Sequence, residues 1–241
     1  MAKLNQELVR SLVKTRSIKP RRMRIDSTTL EAHISYPNDV GIIHQAVKTL
    51  TRTAASLGKK ITSHVRATKR ALFAWSQTAR AKPKVRKEKG RKILKAAAQL
   101  AQHTVEQSRK AFQRLGGSVS DQPTKLKQKF LEQIKLAERV LSQTEQKLGG
   151  KKSIPQRIVS FHDACARAIC KGKLNRPVEF GRTLQLVQDS SGVIVHYEVH
   201  GGHPNDKTQL LSLVRQTKKR LGVKPKELAT DRGYYSAENV R

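Results

Sequence analysis

Residues 22–30 have the sequence RMRIDSTTL, and residues 227–231 have the sequence ELATD. In the first stretch, an alternation of period two places Asp26 among β-branched and apolar residues, which is typical of a strand. The second stretch is a short apolar run that ends at Asp231, ahead of a glycine-containing turn and a helix start. It predicts a short buried strand with the aspartate at its carboxyl end. If both strands belong to one sheet, these distant aspartates come side by side.

Two carboxylates on adjacent strands suit a magnesium ion. Mg²⁺ is a hard cation that usually takes one or two carboxylates and completes its shell with water and phosphate oxygens. An acid in the middle of a strand is disfavoured by propensity and costly to bury, and a metal ion at Asp26 would compensate. The alternatives are an edge-strand aspartate that faces water at position 26 and a turn former at position 231.

Three segments of the chain together resemble the signature motifs of the DDE transposases of bacterial insertion sequences. In order, they are Asp26–Thr29, Lys171–Gly181 and Asp231–Tyr234. The resemblance implies a ribonuclease H-like α/β fold in which Asp26 and Asp231 are catalytic and bind Mg²⁺ or Mn²⁺. It also implies phosphodiester hydrolysis and strand transfer on double-stranded DNA at transposon ends, in a bacterial cytoplasm. It is compatible with a homodimer of the full-length protein.

The third acid of that family, a glutamate on a downstream helix, has no matching position here. Glu238 is the only acid after Asp231, and it lies too close and lacks the Tyr-Arg-Glu-Lys context common in the family. The role is therefore not transferred to Glu238. We expect a transposase truncated at its C-terminus and also at its N-terminus, or one part of a split transposase, and we expect the isolated fragment to be inactive.

Basic residues accompany the second and third motifs. Lys171, Lys173 and Arg176 surround Gly172 in a loop that the resemblance places near the active site. We predict that they bind nucleic-acid phosphates, with a solvated loop as the equal alternative. Arg232 adjoins Asp231, where it either contacts phosphate or pairs with a carboxylate.

The formal net charge of the chain is +32. A charge of this sign and size indicates a polyanionic partner, with nucleic acid as the default. Charge alone does not separate an enzyme from a binder, so the alternative function is a non-catalytic DNA-binding remnant or a structural nucleic-acid-binding protein. No apolar run reaches the roughly 18 residues of a membrane span. Cys165 and Cys170 fit a reducing cytoplasm and provide no disulfide framework.

The middle of the chain is helical and strongly basic. Residues 41–150 carry 25 Lys/Arg and 6 Asp/Glu, a net charge of +19. The periodicity predicts several helices, with a solvated linker at the start of 82–95 and an antiparallel hairpin of two long helices ending at Gly149-Gly150. Their exposed faces either solubilise the protein or contact the DNA backbone. The predicted domains are 1–39, 40–150 and 151–241.

After the hairpin the apolar period changes from 3.6 to 2. Ile158–Phe161 is predicted to be a short strand or the approach to one. Strands are predicted at Val178–Gln188 and Val193–His200, followed by a helix over 207–221 with Asp206 as its N-cap. With the strand at residues 22–30 first and the Asp231 strand last, the order is strand, strand, strand, helix, strand. The predicted fold is therefore a partial ribonuclease H-like α/β sheet with a large, mostly α-helical insertion between the first and second strands.

Overall fold

The chain divides into two compact parts. The structure, a computed structural model, describes residues 2–18, 21–115, 125–170, 177–202, 204–222 and 225–240. Met1–His33 together with Cys165–Arg241 form the sheet unit, and Ile34–Ala164 form the helical unit. The division into 1–39, 40–150 and 151–241 stays a prediction.

The sheet unit combines a mixed sheet with helices. Its elements in chain order are α1 (Ala2–Lys14), β1 (Arg22–Glu31), β2 (Arg167–Cys170), β3 (Val178–Asp189), β4 (Ile194–His200), α6 (Asp206–Leu221), β5 (Glu227–Thr230) and α7 (Ala237–Val240). A short 3-10 helix, Arg232–Tyr234, connects the last two.

Long-range pairing brings the first strand next to the last. β1 runs antiparallel to β3 and parallel to β5, while β2 and β4 pair antiparallel with β3. Among the described residues the order is therefore β2-β3-β1-β5, with β4 also on β3. The predicted α/β class is confirmed, and the order is compatible with a ribonuclease H-like sheet.

Buried and exposed side chains alternate along β1, and the buried ones belong to the core of the sheet unit. Met23 and Ile25 are 3% and 1% exposed, whereas the intervening Arg24 is exposed. This face packs on α6, since Leu210, Leu213 and Leu221 belong to the same apolar cluster. Burying one such aliphatic side chain contributes about 1.5–3 kcal/mol.

Near the carboxyl end of β1, its backbone lies very close to the backbone of β3. A Cβ atom at Gly181 would lie 2.1 Å from the Leu30 carbonyl oxygen, closer than any real contact allows. Only glycine permits this pairing of β3 with β1, in which Gly181 lies opposite Glu31.

Three local predictions in this part of the chain are wrong. Ile158–Phe161 is not a strand; its residues Ile158 and Phe161 instead pack in the helical core. The N-cap of α6 is Asn205, whose side chain accepts from the Lys207 N–H, because Asp206 is engaged by the sheet. β5 is exposed rather than buried, since it pairs only with β1 among the described strands.

The helical unit contains α2 (Asp39–Ser56), α3 (Val65–Gln77), α4 (Pro83–Gln113) and α5 (Lys125–Leu148), with a 3-10 turn at Thr78–Arg80. The predicted solvated linker at the start of 82–95 is wrong because Pro83 begins α4 rather than interrupting a helix. Proline is favoured at the first helical position, where its fixed φ fits and its missing N–H is not needed. The loop between α4 and α5 lies outside the described residues.

Apolar stripes at helical spacing pack into one core in this unit. Val47, Leu50 and Phe130 are fully buried, and Ile134 is 2% exposed. Phe112 and Phe130 meet with ring centroids 6.3 Å apart. Within the described part of the chain, no helix is long and apolar enough to cross a membrane.

Candidate active site

The parallel pairing of β1 and β5 positions the two predicted acids. The last matched pair in the register is Ile25 with Thr230, and the next residue in each strand is an aspartate. Asp26 and Asp231 therefore occupy neighbouring positions at the carboxyl end of β5. Paired residues of parallel strands lie on the same face of a sheet, so this register brings the carboxylates toward one another.

Asp26 is half-buried and already partly bonded. Its Oδ1 accepts from the backbone N–H of Ser27 at 2.8 Å, and its Oδ2 pairs with Arg24 Nη2 at 3.3 Å. The Arg24 and Asp26 side chains are 61% and 43% exposed. An ion pair this exposed contributes little, about 0–1 kcal/mol, so it would not compete strongly with a multivalent ligand.

Asp231 follows β5 at an open cleft. It precedes the 3-10 helix with φ −69° and ψ 162°, and its side chain makes no capping hydrogen bond. Asp231, Arg232 and Tyr235 line a cleft of about 480 Å³. The Asp231 side chain is therefore exposed at the surface of the sheet unit.

A third carboxylate, Asp206, connects three elements beside this pair. Its Oδ2 accepts from Ser27 Oγ at 3.2 Å, and its Oδ1 accepts from Gln185 Nε2 at 3.1 Å. A Cβ atom on Gly233 would lie 3.5 Å from Asp206 Oδ2, so the turn after Asp231 comes against the same group. Asp206 thereby ties α6 to β1, β3 and the turn after β5.

Gln185 extends this cluster into the sheet. Its side chain is fully buried, and its Oε1 accepts from His200 Nε2 at 3.0 Å. A buried amide whose nitrogen and oxygen both form hydrogen bonds resists rotation, because turning it over would leave a polar atom unpaired. The Asp206 carboxylate is held in place as a result.

Tyr234 lies near enough to Asp206, Asp26 and Asp231 for their charges to act on its hydroxyl. It is 1% exposed, and this burial raises the pKa of its hydroxyl above the ordinary range. The negative charge of Asp206 adds to the increase, and those of Asp26 and Asp231 add less. The Tyr234 hydroxyl meets no partner at full hydrogen-bond geometry among the described residues, although the nearby Ser27 side chain offsets part of the shift. Tyr234 therefore stays protonated at neutral pH.

The predicted nucleic-acid contacts divide into two groups. Lys171, Lys173 and Arg176 lie outside the described residues. Arg232 is exposed at the cleft beside Asp231, and its side chain pairs with no described residue. Its guanidinium is thus available to an anionic ligand.

The donor chemistry of the paired acids fits a divalent metal ion. Asp26 and Asp231 provide carboxylate oxygens, and two carboxylates are what Mg²⁺ commonly takes from a protein. Among the described residues, no group of three or more His, Cys, Asp or Glu side chains could hold a metal ion. The remaining positions in the shell of an ion would thus fall to water and substrate oxygens.

Sequence reasoning missed Asp206, Gln185 and Tyr234 as neighbours of the paired acids. Asp206 was assigned to the helix cap, but Asn205 precedes it and is an equally good capping residue. Two consecutive capping residues are a signal that one of them has another partner.

Metal ions assist in-line displacement in phosphatases, polymerases and nucleases, and carboxylates such as those of Asp26 and Asp231 are suitable ligands for such ions. Residues 155–241 match the model of a protein family described as the transposase DDE domain. The match confirms the resemblance to DDE transposases over this stretch, which contains Asp231 but not Asp26. Transposases of this family act on DNA and generally use divalent metal. Neither the curated proteins nor the solved structures include a match to the chain.

Proposed function

We propose that this chain is part of a DNA transposase of a bacterial insertion sequence, with a ribonuclease H-like sheet. The observation that carries the proposal is the β1–β5 register, which aligns Asp26 with Asp231 although β1 lies outside the family match. A helical excursion between β1 and the matched strands explains why the first acid and the second are so far apart in the sequence.

Asp26 and Asp231 are proposed as the metal-binding and catalytic acids. When bound, Mg²⁺ or Mn²⁺ would activate the attacking water or DNA 3′-hydroxyl and stabilise charge on the leaving oxygen. The two aspartates hold and orient the metal ions. Arg232, exposed beside Asp231, binds a phosphate of the DNA, as do Lys171, Lys173 and Arg176.

Asp206 and Tyr234 keep the carboxylates of Asp26 and Asp231 in place. Asp206 contacts Ser27, the neighbour of Asp26, and lies against the turn that follows Asp231. Tyr234 remains uncharged, so it adds no further repulsion to a site that already holds several carboxylates. These residues position the acids without contacting substrate.

A direct test is Mn²⁺ titration of the chain followed by electron paramagnetic resonance. We expect Asp26→Asn and Asp231→Asn each to weaken Mn²⁺ binding by at least about tenfold, because loss even of groups that only support metal ligands costs about 10–100-fold. Glu238→Gln is the matched control, since Glu238 is exposed and not assigned a role. It should bind Mn²⁺ like the wild type.

Metal binding, compared with DNA binding measured in chelator, distinguishes the two functions. Both asparagine variants should bind duplex DNA normally while losing the metal, and in a full-length relative they should abolish metal-dependent cleavage. Wild-type Mn²⁺ affinity in both variants would overturn the site. The second candidate, a non-catalytic DNA-binding protein, is favoured by the net charge of +19 on residues 41–150. It would be supported if the wild-type chain bound DNA but no metal.

A further inference from the structure

An open basic cleft lies within the helical unit. Its volume is about 680 Å³, and α2, α5 and the segment near His162 form its walls. We define the basic cleft by its five cationic residues, which are Lys48, Arg52, Lys129, Lys135 and Arg139.

Helical spacing places these side chains on the cleft. On α2, Gln45, Lys48 and Arg52 recur at intervals of three and four residues, which puts them on one face of the helix. The other face carries Val47 and Leu50, both fully buried in the core. The hydrophobic packing of α2 therefore fixes the direction in which its cations point.

The same division applies to α5. Lys135 and Arg139 face the cleft, while Phe130 and Ile134 are buried in the core between the helices. At the rim, His162 Nε2 bonds to Gln45 Oε1 at 3.1 Å. Most of the cleft is thus built on two packed helices, with the segment near His162 completing its wall.

The charge around the cleft is unbalanced. All five cationic residues are exposed, and none forms an ion pair with a described residue. Glu132 is the single acid among the described residues of the lining. Lys48 with Arg52, and Lys135 with Arg139, are like-charge pairs four residues apart, an arrangement that destabilises a helix by about 0.2–0.5 kcal/mol per pair. A bound anion would offset this repulsion.

We propose that the basic cleft binds the phosphate backbone of double-stranded DNA. The proposal rests on the proposed transposase function and assigns part of its DNA contact to the helical unit. Arginine and lysine at this density are the side chains that neutralise phosphates. The only Phe, Tyr or Trp in the described lining is Phe161, which is 5% exposed, so the cleft offers no platform for base stacking on single strands.

The test compares two variants with equal loss of charge. The cleft variant carries Lys48→Gln, Arg52→Gln, Lys135→Gln and Arg139→Gln. The control carries Arg80→Gln, Lys84→Gln, Arg86→Gln and Lys89→Gln, which are exposed residues of the same unit outside the basic cleft. Binding to a fluorescein-labelled duplex is measured by anisotropy across a salt series in chelator.

We expect the slope of log K against log salt to become shallower by about 3–4 in the cleft variant, because each lost phosphate contact removes about 0.9. The control should change the slope by less than about 1. The double variant Lys48→Arg and Lys135→Arg keeps the charge and should retain the wild-type slope. Equal slopes for the cleft and control variants would overturn the proposal. Tighter binding of the matching single strand or of inorganic polyphosphate at the cleft would also overturn it.

Failure of this inference and failure of the proposed function give different results. If the cleft variant binds DNA like the wild type while Asp26 and Asp231 remain necessary for Mn²⁺ binding, the proposed DNA contact at the cleft is wrong. The transposase assignment then stands. Cleft-dependent DNA binding without any metal binding overturns the catalytic site instead. Circular dichroism confirms the fold, and removal of like-charge pairs should leave helicity intact.

Discussion

In the sheet unit, carboxylates lie close to one another, whereas in the helical unit exposed cationic side chains surround an open cleft. Asp206 accepts hydrogen bonds from two side chains, and its charge acts on Tyr234 together with those of Asp26 and Asp231. Lys48 and Arg52, by contrast, have no paired acid among the described residues. The difference separates the two proposals: the proposed metal site depends on carboxylates of the sheet unit, and the proposed phosphate contact depends on cations of the helical unit. Variants confined to one unit should then leave the other intact.

The largest expected effect is on the helical core. Phe130→Ala should lower the free energy of unfolding of the helical unit by about 3–5 kcal/mol, because Phe130 is fully buried and its removal leaves a cavity. Trp75, the single tryptophan, packs on Gly90 within this unit, so its fluorescence in urea reports this transition.

Phe73→Ala is the matched control, since Phe73 is 67% exposed and should change stability by no more than about 0.5 kcal/mol. Mn²⁺ binding should survive in Phe130→Ala at urea concentrations that unfold its helical unit. Loss of both properties together would show that the two units do not behave separately.

A smaller effect is expected in the sheet unit. Gly181→Ala forces a Cβ atom against the backbone of Leu30, and overpacking of this kind costs about 1–3 kcal/mol. Hydrogen exchange of the β1 and β3 amides should accelerate, and Mn²⁺ binding should weaken because β1 carries Asp26.

Gly201→Ala provides the comparison for that substitution, because nothing lies within 4 Å of the added atom. It should leave exchange in β1 unchanged. The urea transition seen by Trp75 should be the same in both variants. A Gly181→Ala protein with wild-type exchange rates would contradict the β1–β3 register.

The smallest expected effect is a difference in acid sensitivity. Burial lowers the pKa of His44 in the helical unit, and the charges of Lys48 and Lys69 lower it further. Burial also lowers the pKa of His196 in the sheet unit, but Glu198 opposes that shift, while Arg220 adds to it. In each case the unfolded chain binds a proton more readily, so stability is complete above about pH 6.5 and falls as the pH drops below that value.

Among the described residues, an acid opposes the shift only at His196, where Glu198 favours the protonated form. His44→Gln should flatten the pH dependence of the Trp75 transition, and His196→Gln should leave that transition as it is. An unchanged pH dependence in His44→Gln would assign the acid sensitivity to another group.

Much of the fold follows from local patterns in the sequence. The period of two in residues 22–30 predicted β1, and the helical periodicity in the middle of the chain predicted helices such as α2. The change of apolar period from 3.6 to 2 after the hairpin predicted the order of β3, β4 and α6. Such patterns work because they report which face of an element meets the core.

The misassigned parts depend on partners that are distant in the sequence. Ile158–Phe161 has a strand-like composition, yet its apolar side chains fill the helical core. Asp206 has the position of a cap, yet Ser27 and Gln185 engage its carboxylate. In both cases tertiary packing outweighs local propensity, and a single sequence does not specify which contact prevails.

The path of the chain also orders its folding on the ribosome. Every strand that pairs with β1 is encoded after the helical unit, since β3 begins at Val178 and β5 at Glu227. Non-local strand pairing is slow, and domains tend to fold in order of synthesis. The helices can therefore fold while Met23 and Ile25 still lack a cover. We therefore expect nascent β1, without its partner strands, to be prone to aggregation during that interval.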